Sequence, residues 1–135
     1  MSRPPVSVII PVWNRLEFTQ RCLAALAAHT PYDLYEVIVV DNGSTDGTRE
    51  FLATLEGDVI VITNPVNLGF ARACNQGARA ARGRYLLFLN NDTAPQPGWL
   101  EALLEVAARD PRIAVVGAKL LYPDDTIQHA GVALR

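Results

Sequence analysis

Lysine is nearly missing from this chain: Lys119 is the single one among 135 residues, and arginine supplies the rest of the positive charge. With 12 basic against 14 acidic side chains the formal charge is only -2. That balance offers neither a basic stripe nor an acidic tail, so no nucleic-acid partner is expected. Cysteine is as scarce. Cys22 and Cys74 lack metal-ligand spacing, and each sits among alanines in a predicted helix, which reads as two buried free thiols in a reducing compartment. No apolar run approaches the roughly 20 residues of a membrane-spanning helix. The start, Met1-Ser2-Arg3-Pro4-Pro5, leads into a strand without a signal-peptide core, and a cytoplasmic location is the expectation. The glycosylation-acceptor patterns Asn42-Gly43-Ser44 and Asn91-Asp92-Thr93 are then coincidental. Internal repeats and low-complexity linkers are absent too.

What is present is a hydrophobic half of the residues, 50%, in a chain long enough to form one compact domain around a core. Short apolar runs at 6–12, 36–40, 59–63 and 85–89 read as strands, and the Val and Ile run of 36–40 as one covered on both faces at the sheet centre. Helices are predicted over 15–29, from Ser44 or Thr45 as cap to about 55, to about 81 after the Asn67-Leu68-Gly69 loop, and over 99–109. A fifth strand is predicted at 113–119. Strand and helix alternate throughout, so the fold class is α/β, a doubly wound, mainly parallel sheet with helices on both faces. The stretch 120–135 contains a turn at Tyr122-Pro123-Asp124-Asp125 and a candidate strand at 127–134. An apolar strand at the terminus needs cover. The natural polypeptide is therefore expected to be longer, or a homo-oligomer to bury that edge.

Two acidic signals follow predicted strands: Asp41-Asn42-Gly43-Ser44-Thr45-Asp46-Gly47-Thr48 and Asn90-Asn91-Asp92-Thr93. Ligands of open α/β sheets sit outside the carboxyl ends of the strands. If the two strands are parallel neighbours, Asp41 and Asp92 converge on one pocket. Pro11-Val12-Trp13-Asn14-Arg15 stands after the first strand where a nucleotidyltransferase or a dinucleotide-binding dehydrogenase would carry a glycine-rich phosphate loop. Both classes are disfavoured.

In chain order, the segments 6–15 and 36–48, then Asn67-Leu68-Gly69-Phe70-Ala71 and Leu87-Phe88-Leu89-Asn90-Asn91-Asp92-Thr93, resemble the nucleotide-sugar half of the family 2 inverting glycosyltransferases. The resemblance spans nearly the whole chain. The Asn-Asn-Asp-Thr form and Ile127-Gln128-His129-Ala130-Gly131 are most similar to bacterial rhamnosyltransferase-like members. It implies a Rossmann-like GT-A fold, here a single domain over 1–135 truncated on its acceptor side. The donor would be a UDP-sugar or dTDP-sugar with a divalent cation, Mg or Mn. The acceptor would be a glycan or lipid-linked molecule, as in cell wall or polysaccharide biosynthesis, with peripheral membrane association through segments outside this chain left open.

By the same resemblance Pro11 and Asn14 line the base and ribose site, Asp41 accepts from the base imide, and Asp92 binds the cation bridging the diphosphate. The imide N–H is a donor and a carboxylate only accepts, so Asp41 suits uracil or thymine. Asn90 replaces the first acid of the family's Asp-x-Asp motif, which leaves the cation dependent on diphosphate oxygens. Asn67, Gly69, Arg72 and Asn75 form a second tier: a glycine for close backbone approach, an arginine for phosphate, and an asparagine one helical turn on. Turn or cap formation competes for Asp41 and Asn67, and a solvated surface for Arg72. Phe70, Phe88 and Trp99 are expected in the core, Trp13 either there or beside the base. His129 reads as structural or near a sugar, and His29 as a helix C-terminal residue. The catalytic residue is unknown. Asp124 and Asp125 occupy a turn, and the general base is expected downstream of residue 135. The rival to a transferase is a noncatalytic nucleotide-binding or assembly module on the same sheet.

Overall fold

The computed structural model describes residues 3–130, which form two compact units divided between Gln96 and Pro97. The first unit carries a four-stranded parallel sheet in the order β3-β2-β1-β4, where β1 is Val6–Val12, β2 Tyr35–Asp41, β3 Val59–Thr63 and β4 Tyr85–Phe88. The central pair is the most apolar. Ile9 pairs with Ile38, Val8 with Val37 and Ile10 with Val39, so β-branched side chains stack on both faces.

Between the strands run α1 (Leu16–His29), α2 (Thr48–Leu52) and α3 (Phe70–Ala80), with a 3-10 turn at Tyr32–Leu34. On one sheet face Ile9, Ile38 and Val40 close around Ala73 of α3, with Ile60 and Ile62 of β3 at the margin. Small residues let α3 come close: a methyl group on Gly77 would overlap Ile9. The residues of the opposite face, Val8, Ile10, Val37 and Val39, are buried as completely. Burial on both sides is what the unbroken Val and Ile runs predict.

The second unit contains α4 (Trp99–Ala108) and a small antiparallel pair, β5 (Leu120–Leu121) with β6 (Ile127–His129). The turn at 122–125 forms as expected. Asp125 N–H bonds the Tyr122 carbonyl, and Asp124 Oδ1 accepts from the Thr126 N–H and hydroxyl. Residues 131–134 of the candidate terminal strand lie outside the described residues.

Four expectations need correction. The strand predicted at 113–119 is irregular, with Val115 exposed; no described strand pairs with it, and an extended segment without a ladder partner is not a strand. The helix predicted to reach about 55 stops at Leu52, where Thr54 and Leu55 tighten into i to i+3 bonds on Phe51 and Leu52. Neither Ser44 nor Thr45 caps it, because Gly47 holds the cap position. Phe88 is 51% exposed rather than core, as is Leu86 at 46%; both lie on β4, the short strand at one end of the described sheet. Among the described residues no helix is long and apolar enough to cross a membrane.

Candidate functional site

The carboxyl ends of β1, β2 and β4 and the loops beyond them form the candidate site. An open pocket of about 230 Å³ is lined there by Pro11, Val12, Trp13, Asn42, Asn67, Phe70, Asn90 and Asn91. Trp13 is 55% and Phe70 62% exposed, so both aromatics belong to the pocket and the core expectation for Phe70 fails. The reason is position: Phe70 opens α3 at the rim, ahead of the buried positions Ala73 and Gly77. The wall is rich in asparagine amides, which both donate and accept.

Loops after β1 and β2 are clamped together. Asn14 N–H donates to Ser44 Oγ at 2.8 Å, Asn14 Oδ1 accepts from Thr45 N–H at 2.7 Å, and Leu16 N–H donates to Asp46 Oδ2 at 3.0 Å. Asp46, borrowed from the other loop, thus serves the first turn of α1, which has no side-chain cap of its own. Hydrogen bonds from the Thr48 hydroxyl, then from the Leu16 and Thr48 N–H groups, hold the Asp46 carboxyl below its ordinary value. The clamp sustains two successive left-handed residues, Asn14 at φ 55° and Arg15 at φ 56°. Asparagine tolerates that conformation; for Arg15 it costs about 1–2 kcal/mol.

Asn42, which the sequence shows only as turn chemistry, is the hub of the site. Its Oδ1 accepts from Asn64 Nδ2 at 3.1 Å and Leu68 N–H at 2.9 Å, while its Nδ2 donates to Asn67 Oδ1 at 2.9 Å and the Gly69 carbonyl at 3.2 Å. All four bonding directions of the amide are used. Asn64 and Gln76 exchange two bonds of 2.8 Å and tie the hub to α3. Asn67 Oδ1 also accepts from Gly69 N–H at 2.8 Å, and Gly69 sits at φ 90°, a conformation that suits glycine at the turn into α3, with open space about it.

Asp41 ends β2 and is 0% exposed. Its Oδ1 accepts from Ser44 N–H at 3.0 Å, whereas Oδ2 is buried without a partner among the described residues. A buried carboxylate oxygen left unpaired is costly, and such a group needs a reason. Asp41 does not line the pocket itself, but its register partner Val12 and its chain neighbour Asn42 do. Asp92 differs in every respect. It is exposed, and no hydrogen bond or ion pair among the described residues engages its carboxylate.

Of the residues singled out in the sequence, Pro11, Asn67 and Asn90 share the pocket wall, with Asn14, Asp41 and Gly69 bonded or paired to its neighbours. Arg72 and Asn75 are exposed on α3, outside the lining. The strands that lead to Asp41 and Asp92 are not neighbours: β1 lies between them, a span of about 10 Å across the sheet. Among the described residues no three acidic, histidine or cysteine side chains cluster to hold a metal. Asp92 with Asn90 fits only a cation that draws most of its ligands from a bound diphosphate.

The family model for Glycosyl transferase family 2 matches residues 7–130. The chain belongs to this family. It is 38% identical over 97% of its length to the O-antigen biosynthesis protein RfbC of Myxococcus xanthus, covering 10% of that protein. To the chondroitin synthase of Escherichia coli it is 34% identical over 92% of its length, covering 18% of the relative. Among solved structures, the mannosyltransferase PcManGT of Pyrobaculum calidifontis, in complex with GDP-Man and Mn2+, superposes with a TM-score of 0.78 at 29% identity; the match covers 92% of this chain and 37% of that one. The fold is therefore GT-A, as the motifs implied. The chain spans well under half the length of these relatives.

Proposed function

We propose that this chain is the donor-binding part of an inverting glycosyltransferase that takes a UDP-sugar or dTDP-sugar with Mg or Mn. The observation that carries the reading is the orphaned Oδ2 of Asp41. A base imide N–H would satisfy it, converting an unfavourable buried oxygen into a charge-assisted hydrogen bond of about 1.5–3 kcal/mol. A base in the pocket reaches Oδ2 only after a local shift of the wall at Val12 or Asn42. Trp13, exposed beside Pro11, offers an aromatic face against which a base can stack.

Asp92 would hold the divalent cation, with the Asn90 amide beside it. When bound, that cation supplies Lewis-acid stabilisation of the charge on the departing diphosphate. Direct displacement at the anomeric carbon also needs a base for the acceptor hydroxyl. Asp124 is unsuited to it: the Thr126 hydroxyl and N–H occupy its Oδ1 and hold its carboxyl below the ordinary value. The base belongs to a segment downstream of this chain. By the same reasoning the acceptor, a glycan or lipid-linked molecule, is bound largely elsewhere, and rhamnose as the sugar rests on the resemblance carried by Asn-Asn-Asp-Thr and Ile127-Gln128-His129-Ala130-Gly131.

The mannosyltransferase relative, solved with GDP-Man, supports a second reading for the base. Guanine also presents a ring N–H that a carboxylate can accept. Calorimetry with UDP, dTDP and GDP, with and without Mn2+, on the native chain and on Asp92→Ala tests all of this. Tight binding that needs Mn2+ and is lost in Asp92→Ala is the expected result. No nucleotide binding by the native chain would favour a noncatalytic assembly module.

A further inference from the structure

The 90–93 loop, which carries Asp92, rests on the inner face of α1. Thr19 is fully buried, and its Oγ1 accepts from Asn91 Nδ2 at 3.1 Å. Cys22, one turn along the same face, is buried as well and points Sγ at the Asn90 carbonyl, 3.8 Å away, and at Thr93 Oγ1, 3.9 Å away. The loop closes on itself through Thr93, whose hydroxyl and N–H donate to the Asn90 carbonyl at 2.7 and 3.3 Å. Burial, with the nearby negative charge of Asp92, pushes the Cys22 thiol up despite the hydrogen bond with Thr93, so it remains a protonated, weak donor.

We propose that Thr19, supported by Cys22, is a positioning residue for the cation site: by holding the Asn91 amide, while Cys22 holds the Asn90 carbonyl, it fixes the direction in which Asp92 leaves the loop. The inference rests on the reading of Asp92 given above. A site with a single carboxylate has no second acid to restrain the cation, so the orientation of that carboxylate must come from its supports. Bonds of this kind behind a metal ligand are commonly worth 10- to 100-fold in metal affinity. Helix α1 contributes nothing to the pocket lining, and among the described residues Thr19 has no other side-chain bond that would account for a buried hydroxyl there.

The test is a Mn2+ titration of nucleoside diphosphate binding to the native chain, Thr19→Val and Thr19→Ser, paired with binding in chelator and hydrogen exchange across 90–93. Thr19→Val, which keeps the shape and removes the acceptor, is expected to weaken Mn2+-supported binding about tenfold. Binding in chelator should stay within about twofold, exchange in the loop should rise, and Thr19→Ser should restore the native titration. A purely packing role would lower both kinds of binding together, or lower stability alone, and either result would overturn the proposal. So would a Thr19→Val titration that matches the native one. If the native chain binds nucleotide without any response to Mn2+, the reading of Asp92 itself fails and takes this inference with it.

Discussion

Both ends of β2 bury a carboxylate, and the surroundings treat the two in opposite ways. At the amino end Glu36 is 1% exposed and fully engaged: Oε1 accepts from the Ser7 hydroxyl and the Arg82 N–H, both at 2.7 Å, and Oε2 from Arg82 Nε at 2.8 Å. Ser7 Oγ accepts in turn from Gly83 N–H, so β1, β2 and the turn before β4 are joined at one point. Burial pushes the Glu36 carboxyl up, yet the Arg82 N–H, the Ser7 hydroxyl and the Arg82 guanidinium outweigh it and hold the group below its ordinary value of 4.5. Five residues along, Asp41 has one oxygen bonded and the other left bare. One end of the strand is fully engaged by the fold, and the other leaves an oxygen that, in the function proposed above, a ligand would engage.

The sharpest way to separate the ends is to remove each acid. Glu36→Ala leaves the Ser7 hydroxyl and Arg82 N–H without their acceptor and opens a cavity, so urea unfolding should show a loss of about 3 kcal/mol. A loss below about 1 kcal/mol would place Glu36 with ordinary surface carboxylates. Asp41→Asn keeps the Ser44 bond through Oδ1 and relieves the buried charge, so stability should stay within about 1 kcal/mol of native. Nucleotide affinity should fall about 10- to 100-fold, the equivalent of one hydrogen bond to a charged acceptor. If Asp41→Asn unfolds the chain while binding per folded molecule is unchanged, the contrast is void.

Asn42→Asp lies between the two extremes, because the hub serves both fold and site. The substitution turns two donors toward the Asn67 and Gly69 oxygens into an acceptor, and should lower both stability and nucleotide affinity by about 1–2 kcal/mol. An effect on only one of them would show that the hub serves only that purpose. The smallest expected effect is in acid. The folded value of Glu36 lies below the unfolded one, so its stabilisation is present above about pH 4.5 and disappears as pH falls through the folded value. Thermal midpoints of native chain and Glu36→Gln should therefore draw together as pH drops from 5 to 3, whereas a gap independent of pH would contradict this.

How much of this was legible in the sequence follows from how local each signal is. The strands announced themselves because Val and Ile runs such as 36–40 need no partner to be recognised, and α1 because its apolar spacing and the Thr30-Pro31 stop lie within one segment. The family motifs gave the fold and the site end of the sheet. Contacts between distant residues were invisible: Glu36 and Arg82 are 46 positions apart, Asn42 and Asn67 25, and Thr19 and Asn91 72. The strand expected at 113–119 failed for the same reason, since its pattern is apolar but its pairing is not in the pattern. Phe70 and Phe88 misled because hydrophobic residues are usually buried, while a rim position and an edge strand leave these two exposed.

The proposed role of Asp41 can be tested directly with a donor whose ring N–H is blocked. The tightest-binding of UDP, dTDP and GDP would be compared with its ring-N-methylated counterpart, on the native chain and on Asp41→Asn. Methylation is expected to cost the native chain at least about tenfold in affinity, a difference that largely vanishes in Asp41→Asn. Equal binding of the two nucleotides by the native chain, or the same methylation penalty in both proteins, would contradict that role.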